Sequence, residues 1–444
     1  MRIDLTVFSA LMVAVVSYYL FFFILGFRHV HTPSATRFRK PLVVIVVPAR
    51  NEEAVIDETL QLALAVPYLG DKRVLVVDDG STDRTAEMAD RLAVEDPRLR
   101  VLHRLPGVAG RGKSEVLNNA YADLSSWISS SDGWLSGYKA SEIVLCVIDA
   151  DGHLSANALD CATAFFSSSK VGAVQIGVQI RDCMDSTLAR LQDIELCGYS
   201  FMAQTARDRL GSVGLGGNGQ FVRMSALDSL HAAVGEPWKP GALTEDLDLG
   251  IRMIMAGWRL RMCSAAWVDQ QGLPGLRPLL RQRTRWTQGA YQCWRHLPAL
   301  ARSPRLWIAT RFDSITRLLL TPLVILVTVA LFLQVLNATG IVTVTDNFVP
   351  WSGTGIGFRA LALSLAWLPP LLSVVTYQRH SPHRLRWWEV PAFTVLVAAY
   401  AYMWALTTLR AWIRLTRGRG NWVKTPRYVG GQPDVTQLAS DPAL

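Results

Sequence analysis

Two short acidic strings carry the most chemistry in this chain. Asp149-Ala150-Asp151-Gly152 closes an apolar run over residues 143–148, and Asp78-Asp79-Gly80 closes an earlier one over 74–77. Carboxylates are hard oxygen donors. A sheet that delivers them from strand ends holds them on rigid backbone, as a divalent cation and a charged nucleotide require. Gly152 permits a bend after the Asp-x-Asp string, and Gly80 a tight turn after the first pair. The plain alternative for both is a capped turn, or an acidic turn without metal.

Five further strings add candidates. Val47-Pro48-Ala49-Arg50-Asn51-Glu52-Glu53 ends a strand and opens a helix, so free N–H groups beside Arg50 suit an anion, or Asn51 simply caps the helix. Arg111-Gly112-Lys113 has the residues of a phosphate-contacting loop without the spacing of a P-loop. Gly214-Leu215-Gly216-Gly217-Asn218-Gly219 lets backbone approach a sugar ring, or merely flexes. Leu243-Thr244-Glu245-Asp246 starts an amphipathic helix; Asp246 is a candidate general base, against the reading that Thr244 caps and the acids favour the helix N-terminus. In Gln282-Arg283-Thr284-Arg285-Trp286, residues Gln282, Arg285 and Trp286 share a helix face. Arg285 suits a forked grip on pyrophosphate and Trp286 a stack on a sugar, or the string is a basic interfacial helix.

These strings need a scaffold. Strand-like runs at 42–47, 74–77, 101–103, 143–148 and 172–180 alternate with helical periodicity, which predicts a three-layer α/β domain over 41–297 with a largely parallel sheet. Residues 125–141, rich in Ser, Gly and Trp, read as a surface insertion. Apolar stretches at 5–27, 315–336, 356–377 and 390–412 each reach the roughly 20 residues that a membrane span needs. The expected order is therefore an N-terminal transmembrane helix and basic linker (1–40), the α/β domain, an interfacial helix (298–314), a C-terminal transmembrane region (315–412) and a basic tail (413–444). The first stretch reads as a retained anchor, not a cleaved signal.

Composition agrees: of 444 residues 50% are hydrophobic and 18% charged, a membrane-leaning balance. The net charge of +9 gathers beside apolar stretches, at Arg28, Arg37, Arg39 and Lys40 and again between 410 and 427. That suits lipid headgroups, and no nucleic-acid motif accompanies it. The six cysteines form no CxxC and read as reduced cytosolic thiols. Lys and Arg bias places the domain in the cytosol of a multi-pass protein of the inner (plasma) membrane, with 337–355 as an outer loop. Four crossings would strand the basic tail outside, against the charge bias. Either the fourth stretch or the one containing Pro369-Pro370 is re-entrant or interfacial, or the tail lies outside.

Taken in order, the strings resemble those of the membrane-embedded family 2 glycosyltransferases, the group with hyaluronan, chitin-oligosaccharide, poly-N-acetylglucosamine and bacterial cellulose synthases. The resemblance covers roughly residues 40–430. It implies a GT-A-like nucleotide-sugar-binding domain inserted between transmembrane helices, with inversion at the anomeric carbon. Pro48, Arg50, Glu52, Asp78, Asp79, Lys113, Asp149, Gln282 and Arg285 would contact a nucleotide-diphosphate sugar, in the expectation UDP-linked. Asp149 and Asp151 would hold Mg²⁺ or Mn²⁺. Asp246 would be the base, and Gly217, Asn218, Glu245 and Trp286 would meet the acceptor. Trp422, Lys424, Thr425 and Arg427 resemble a gating segment over the nucleotide, which needs a cytosolic tail.

The resemblance implies transfer to a growing glycan, with processive synthesis as one form. Four candidate spans are few for a pore, so a partner or self-association would be needed to complete a channel. A lipid acceptor held by the apolar helices is the enzymatic alternative. A non-catalytic glycan-binding or export subunit is the alternative of another class.

Overall fold

The computed structural model describes residues 2–4, 6–27, 39–130, 133–341, 343–345, 356–418, 428–429 and 432–433. The acidic strings leave one eight-stranded sheet. Its strands are β1 (Leu42–Ala49), β2 (Lys72–Asp78), β3 (Leu99–His103), β4 (Ile143–Val147), β5 (His153–Leu154), β6 (Val171–Ile180), β7 (Gln220–Arg223) and β8 (Arg259–Gln270). Their order is β3-β2-β1-β4-β7-β6-β8-β5. The first four pair in parallel. Strand β1 is Val- and Ile-rich and buried on both faces, as parallel strands covered by helices are. Alternate residues feed two cores: Leu42, Val44 and Val46 on one side, Val43, Ile45 and Val47 on the other.

The other half departs from the largely parallel expectation. Strand β7 runs antiparallel to both β4 and β6, and β5 runs antiparallel to β8. The sheet is mixed. Strands β5, β7 and β8 escape the sequence pattern because they are very short or carry few β-branched residues.

The helices are α1 (Thr6–Phe27), α2 (Ile56–Ala65), α3 (Thr85–Glu95), α4 (Lys113–Ser129), α5 (Ala158–Thr163), α6 (Thr187–Asp193), α7 (Phe201–Leu210), α8 (Met224–Val234), α9 (Glu245–Met255), α10 (Leu276–Gln292), α11 (Leu297–Arg302), α12 (Ile308–Ala338), α13 (Ile356–His380) and α14 (Glu389–Thr416). A π-helical turn, Ile194–Ser200, joins α6 to α7. The stretch expected as a surface insertion, described at 125–130 and 133–141, is mostly solvent-facing but anchored to the core. Trp134 and Leu135 are buried in the core, and Arg100 of the edge strand β3 stacks on both Trp127 and Trp134 at 4.9 Å. The polar composition hid these anchors.

The interfacial helix expected at 298–314 is divided. Helix α11 stops at Arg302 and Ser303 is extended (ψ 119°), because Pro304 disfavours a helical residue before it. The four apolar stretches fall on α1, α12, α13 and α14. Among the described residues one helix, Glu389–Thr416, is long and apolar enough to cross a membrane. Phe22 of α1 packs with Met202 and Ala206 of α7. Arg2–Asp4 pairs in parallel with Thr343–Thr345, so the start of α1 and the end of α12 lie together.

Candidate active site

The first half of the cleft forms where β1 and β2 end. Pro48 is half-buried in β1 opposite Val77. The chain does not enter α2 at Asn51: that residue is left-handed (φ 51°), and α2 starts at Ile56. Its N–H donates to Ser81 Oγ at 2.9 Å and its Oδ1 accepts from the Thr82 N–H at 2.7 Å. Asn51 therefore ties two strand-end loops together and does not stand at the N-cap of α2. Glu52 is buried, its N–H donating to Thr85 Oγ1 at 2.7 Å. Asp78, also buried, accepts from the Ser81 N–H at 3.0 Å and faces His103 Nδ1 at 3.3 Å. Burial alone lowers the His103 pKa, but its bonds to Asp78 and Asp90 outweigh this and raise it. Asp79 is ion-paired with Arg104 and accepts the Gly110 N–H at 3.0 Å. A Cβ on Gly110 would collide with the Arg50 guanidinium, so Arg50 lies over the same loop.

The second half is built around Lys113, the first residue of α4. Its Nζ donates to Asp149 Oδ1 and to the Gly217 carbonyl, each at 2.5 Å, and stands 3.8 Å from Glu245. Gly217 lies close against the charged groups of this site. A Cβ there would lie 3.3 Å from Asp246 Oδ2, 3.3 Å from Lys113 Nζ and 3.5 Å from Glu245 Oε1. Gln175 fixes this loop, accepting the Gly216 N–H at 2.7 Å and donating to the Asn218 carbonyl at 2.9 Å. Asn218 Oδ1 accepts the Asp149 N–H at 3.2 Å and its Nδ2 donates to Gln270 at 3.1 Å. Desolvation and the neighbouring Glu245 push the Asp246 pKa up to about 7, with the Leu247 N–H, Lys113 and Arg285 pulling the other way. Burial presses the Lys113 pKa down, but Asp149 and Glu245 raise it overall.

Asp149 and Asp151 sit on a turn closed by the Gly152 N–H to the Asp149 carbonyl at 2.8 Å. Gly152 is required here for space, since a Cβ would come within 2.9 Å of Asn218 Oδ1. The Asp149 side chain is partly exposed, whereas Asp151 is buried and accepts the Gln271 N–H at 3.0 Å. Among the described residues no three His, Cys, Asp or Glu side chains converge as a cage. Two hard carboxylates on one turn would fit an Mg²⁺-like ion.

Helix α10 closes the cleft. Gly289 lies against Thr244, where a Cβ would collide with its side chain, so α10 touches the start of α9. Thr244 precedes α9 without making a side-chain capping bond. Arg285 lies close enough to Asp246 to pull its pKa down, a link the helix-face reading did not contain. Gln282 accepts a bond from Arg283, which sequence reasoning passed over. Arg283 is buried, pairs with Glu195 at 2.7 Å and lies 3.9 Å over the Trp286 ring. One face of Trp286 is therefore already covered. Asp248 was passed over too: it bonds Arg252 Nε at 2.8 Å and His296 Nε2 at 2.7 Å, and also pairs with Arg295. Its only signal was its place two residues after Asp246. Trp422, Lys424, Thr425 and Arg427 lie outside the described residues.

The sequence profile of the family described as glycosyltransferase like family 2 matches residues 41–289. A beta-monoglucosyldiacylglycerol synthase of Synechocystis sp. is 35% identical over 59% of this chain and 50% of its own length. A poly-beta-1,6-N-acetyl-D-glucosamine synthase of Staphylococcus aureus is 25% identical over 56% of this chain and 55% of its own. The chain thus spans about half the length of these curated relatives. A mannosyltransferase from Pyrobaculum calidifontis, solved in complex with GDP-Man and Mn²⁺, shares the fold with a TM-score of 0.56 at 17% identity, over 90% of this chain and 98% of that one.

Proposed function

Because this chain belongs to the glycosyltransferase like family 2, we propose that it moves a sugar from a nucleotide-diphosphate sugar, UDP-linked in the first instance, to a hydroxyl of a membrane lipid. The observation that carries this reading is the convergence of Lys113, Gly217, Glu245 and Asp246 within one small volume. It leaves a carboxylate with pKa about 7 beside backbone that a sugar can approach. Such a group takes a proton from an acceptor hydroxyl at neutral pH. Asp78 and Asp79 hold the loops that receive the nucleotide. Lys113 and Arg285 bring positive charge to the diphosphate as the anomeric bond breaks. Asp149 and Asp151 would hold Mg²⁺ or Mn²⁺, which supplies charge neutralisation on the leaving diphosphate. Arg50, Glu52 and Pro48 line the nucleotide side, and Asn218 and Trp286 the acceptor side.

The lipid acceptor rests on two supports. The relative from Synechocystis is named for such a product, and helices from the apolar C-terminal region pack directly on α10. Placement at the inner membrane, with the sheet domain in the cytosol and the helices crossing more than once, belongs to the same proposal. A growing glycan is the second reading, favoured by the name of the Staphylococcus aureus relative. The test is release of nucleoside diphosphate from UDP-glucose, UDP-N-acetylglucosamine and GDP-mannose, with and without Mn²⁺, on vesicles containing diacylglycerol. A labelled product that extracts into organic solvent supports the lipid reading. A growing water-soluble oligomer replaces it with the glycan reading. No sugar-dependent release from any donor removes both.

A further inference from the structure

Helix α14 is apolar enough to span a bilayer and packs on α12 and α13, yet it also touches the sheet domain at its start, middle and end. Near its start, Arg190 of α6 stacks on Phe393 at 5.7 Å, and Val390, Phe393 and Val397 pack around Ile194 and Cys197. Midway, the Tyr400 hydroxyl donates to Glu195 at 2.7 Å, and Met403 packs on Leu273 and Leu279. Near its end, the Trp412 ring meets Tyr291 at 5.8 Å and Arg414 Nε donates to Gln288 at 3.2 Å. Residues 279 to 291 of α10 thus meet 403 to 414 of α14 in the same direction. The helix has 28 residues, roughly 42 Å at 1.5 Å per residue. A helix that left the domain to cross the hydrocarbon would lose these contacts at one end.

The opposite face points away from the protein. Val395, Ala399, Tyr402, Leu406, Leu409 and Ile413 recur at steps of three and four and are all exposed. Thr394, Met403, Thr407, Thr408 and Ala411 are buried behind them. Both flanks are basic, with Arg384 and Arg386 before the helix and Arg410, Arg414 and Arg417 at its end.

We propose that α14 does not cross the membrane but lies in its plane, with the apolar stripe sunk into the cytosolic leaflet and the basic ends at its headgroups. The occupant of the stripe is the lipid surface itself. Three crossings then remain, α1, α12 and α13, with the N-terminus and Thr343–Thr345 on the outer side, as their pairing requires. The tail beyond Arg417 starts in the cytosol, which removes the charge conflict that four crossings create. The same placement holds α10, and with it Arg285, at headgroup depth.

This inference rests on the membrane reading but not on any donor or acceptor, so its test uses no activity. Arg386→Cys, Arg417→Cys and Ile341→Cys are each labelled with an impermeant maleimide in intact cells and in inside-out vesicles, against the wild-type blank. Five of the six native cysteines are buried, so that blank is low. Positions 386 and 417 should label from the cytosolic side alone, and 341 from the outer side alone. Labelling of 386 and 417 from opposite sides, or of both from outside, overturns the in-plane placement. Release of the protein by alkaline washing of the membranes overturns the membrane reading and this proposal with it.

Discussion

The two halves of the cleft treat their acids in opposite ways. Asp78 and Asp79 are both committed to the protein: Arg104, His103 and the backbone N–H groups of Ser81 and Gly110 hold them. Around Asp246 the acids crowd one another. Glu245 is its neighbour, and one ammonium, Lys113, is shared among Asp149, Glu245 and a carbonyl. The first half spends its charge on geometry. The second leaves a carboxylate with a raised pKa, the condition in which it can accept a proton near neutrality. Similar strand-end or helix-start acids thus serve as scaffold in one place and as reagent in the other.

Substitutions should separate these roles. The largest effect is expected at Asp246. Asp246→Asn should lower turnover about 10²–10⁴-fold while the KM for the donor changes little, measured by nucleotide release. Next is Arg104→Met, which strands Asp79 without its cation in a buried place. A loss of about 3–5 kcal/mol is expected in urea or thermal unfolding, as for a broken buried pair. An unchanged melting point there would erase the contrast between the halves.

Stability should move the other way at Asp246. Its pKa is higher in the folded state than in the unfolded chain. The folded state therefore binds the proton more tightly, and stability falls as pH rises from the ordinary carboxylate range to about 7. Asp246→Asn removes that penalty, so its Tm should exceed the wild type's above neutral pH, with the gap closing in acid. The smallest effect is expected from Tyr400→Phe. It removes one of several bonds to Glu195 and should cost about 1 kcal/mol, leaving the donor KM unchanged.

The strand ends of both halves were legible because they are local. Apolar runs ending in Asp78 and Asp149 mark strand ends whichever way the chain later folds. The parts that were not legible depend on distant partners. Arg104 gives no hint that it will meet Asp79, and Gln175 none that it will brace Gly216 and Asn218. The helix-face argument put Gln282, Arg285 and Trp286 together but passed over Arg283, whose burial is decided by Glu195, Trp286 and Trp404 on other turns and helices. Hydropathy marks α14 as long and apolar enough to span, but it scores composition alone and carries no sign of the contacts that Tyr400, Trp412 and Arg414 make with distant residues.

The most direct test of the contrast is the pH dependence of kcat/KM for the wild type and for Lys113→Met. The wild-type rate should fall as pH drops through about 7, because Asp246 must be unprotonated to accept the hydroxyl proton. Removing the Lys113 ammonium, which favours the charged form of Asp246, should carry that inflection to higher pH. A wild-type profile flat through neutrality, or an inflection unmoved in Lys113→Met, would contradict the assignment of Asp246 as the proton acceptor.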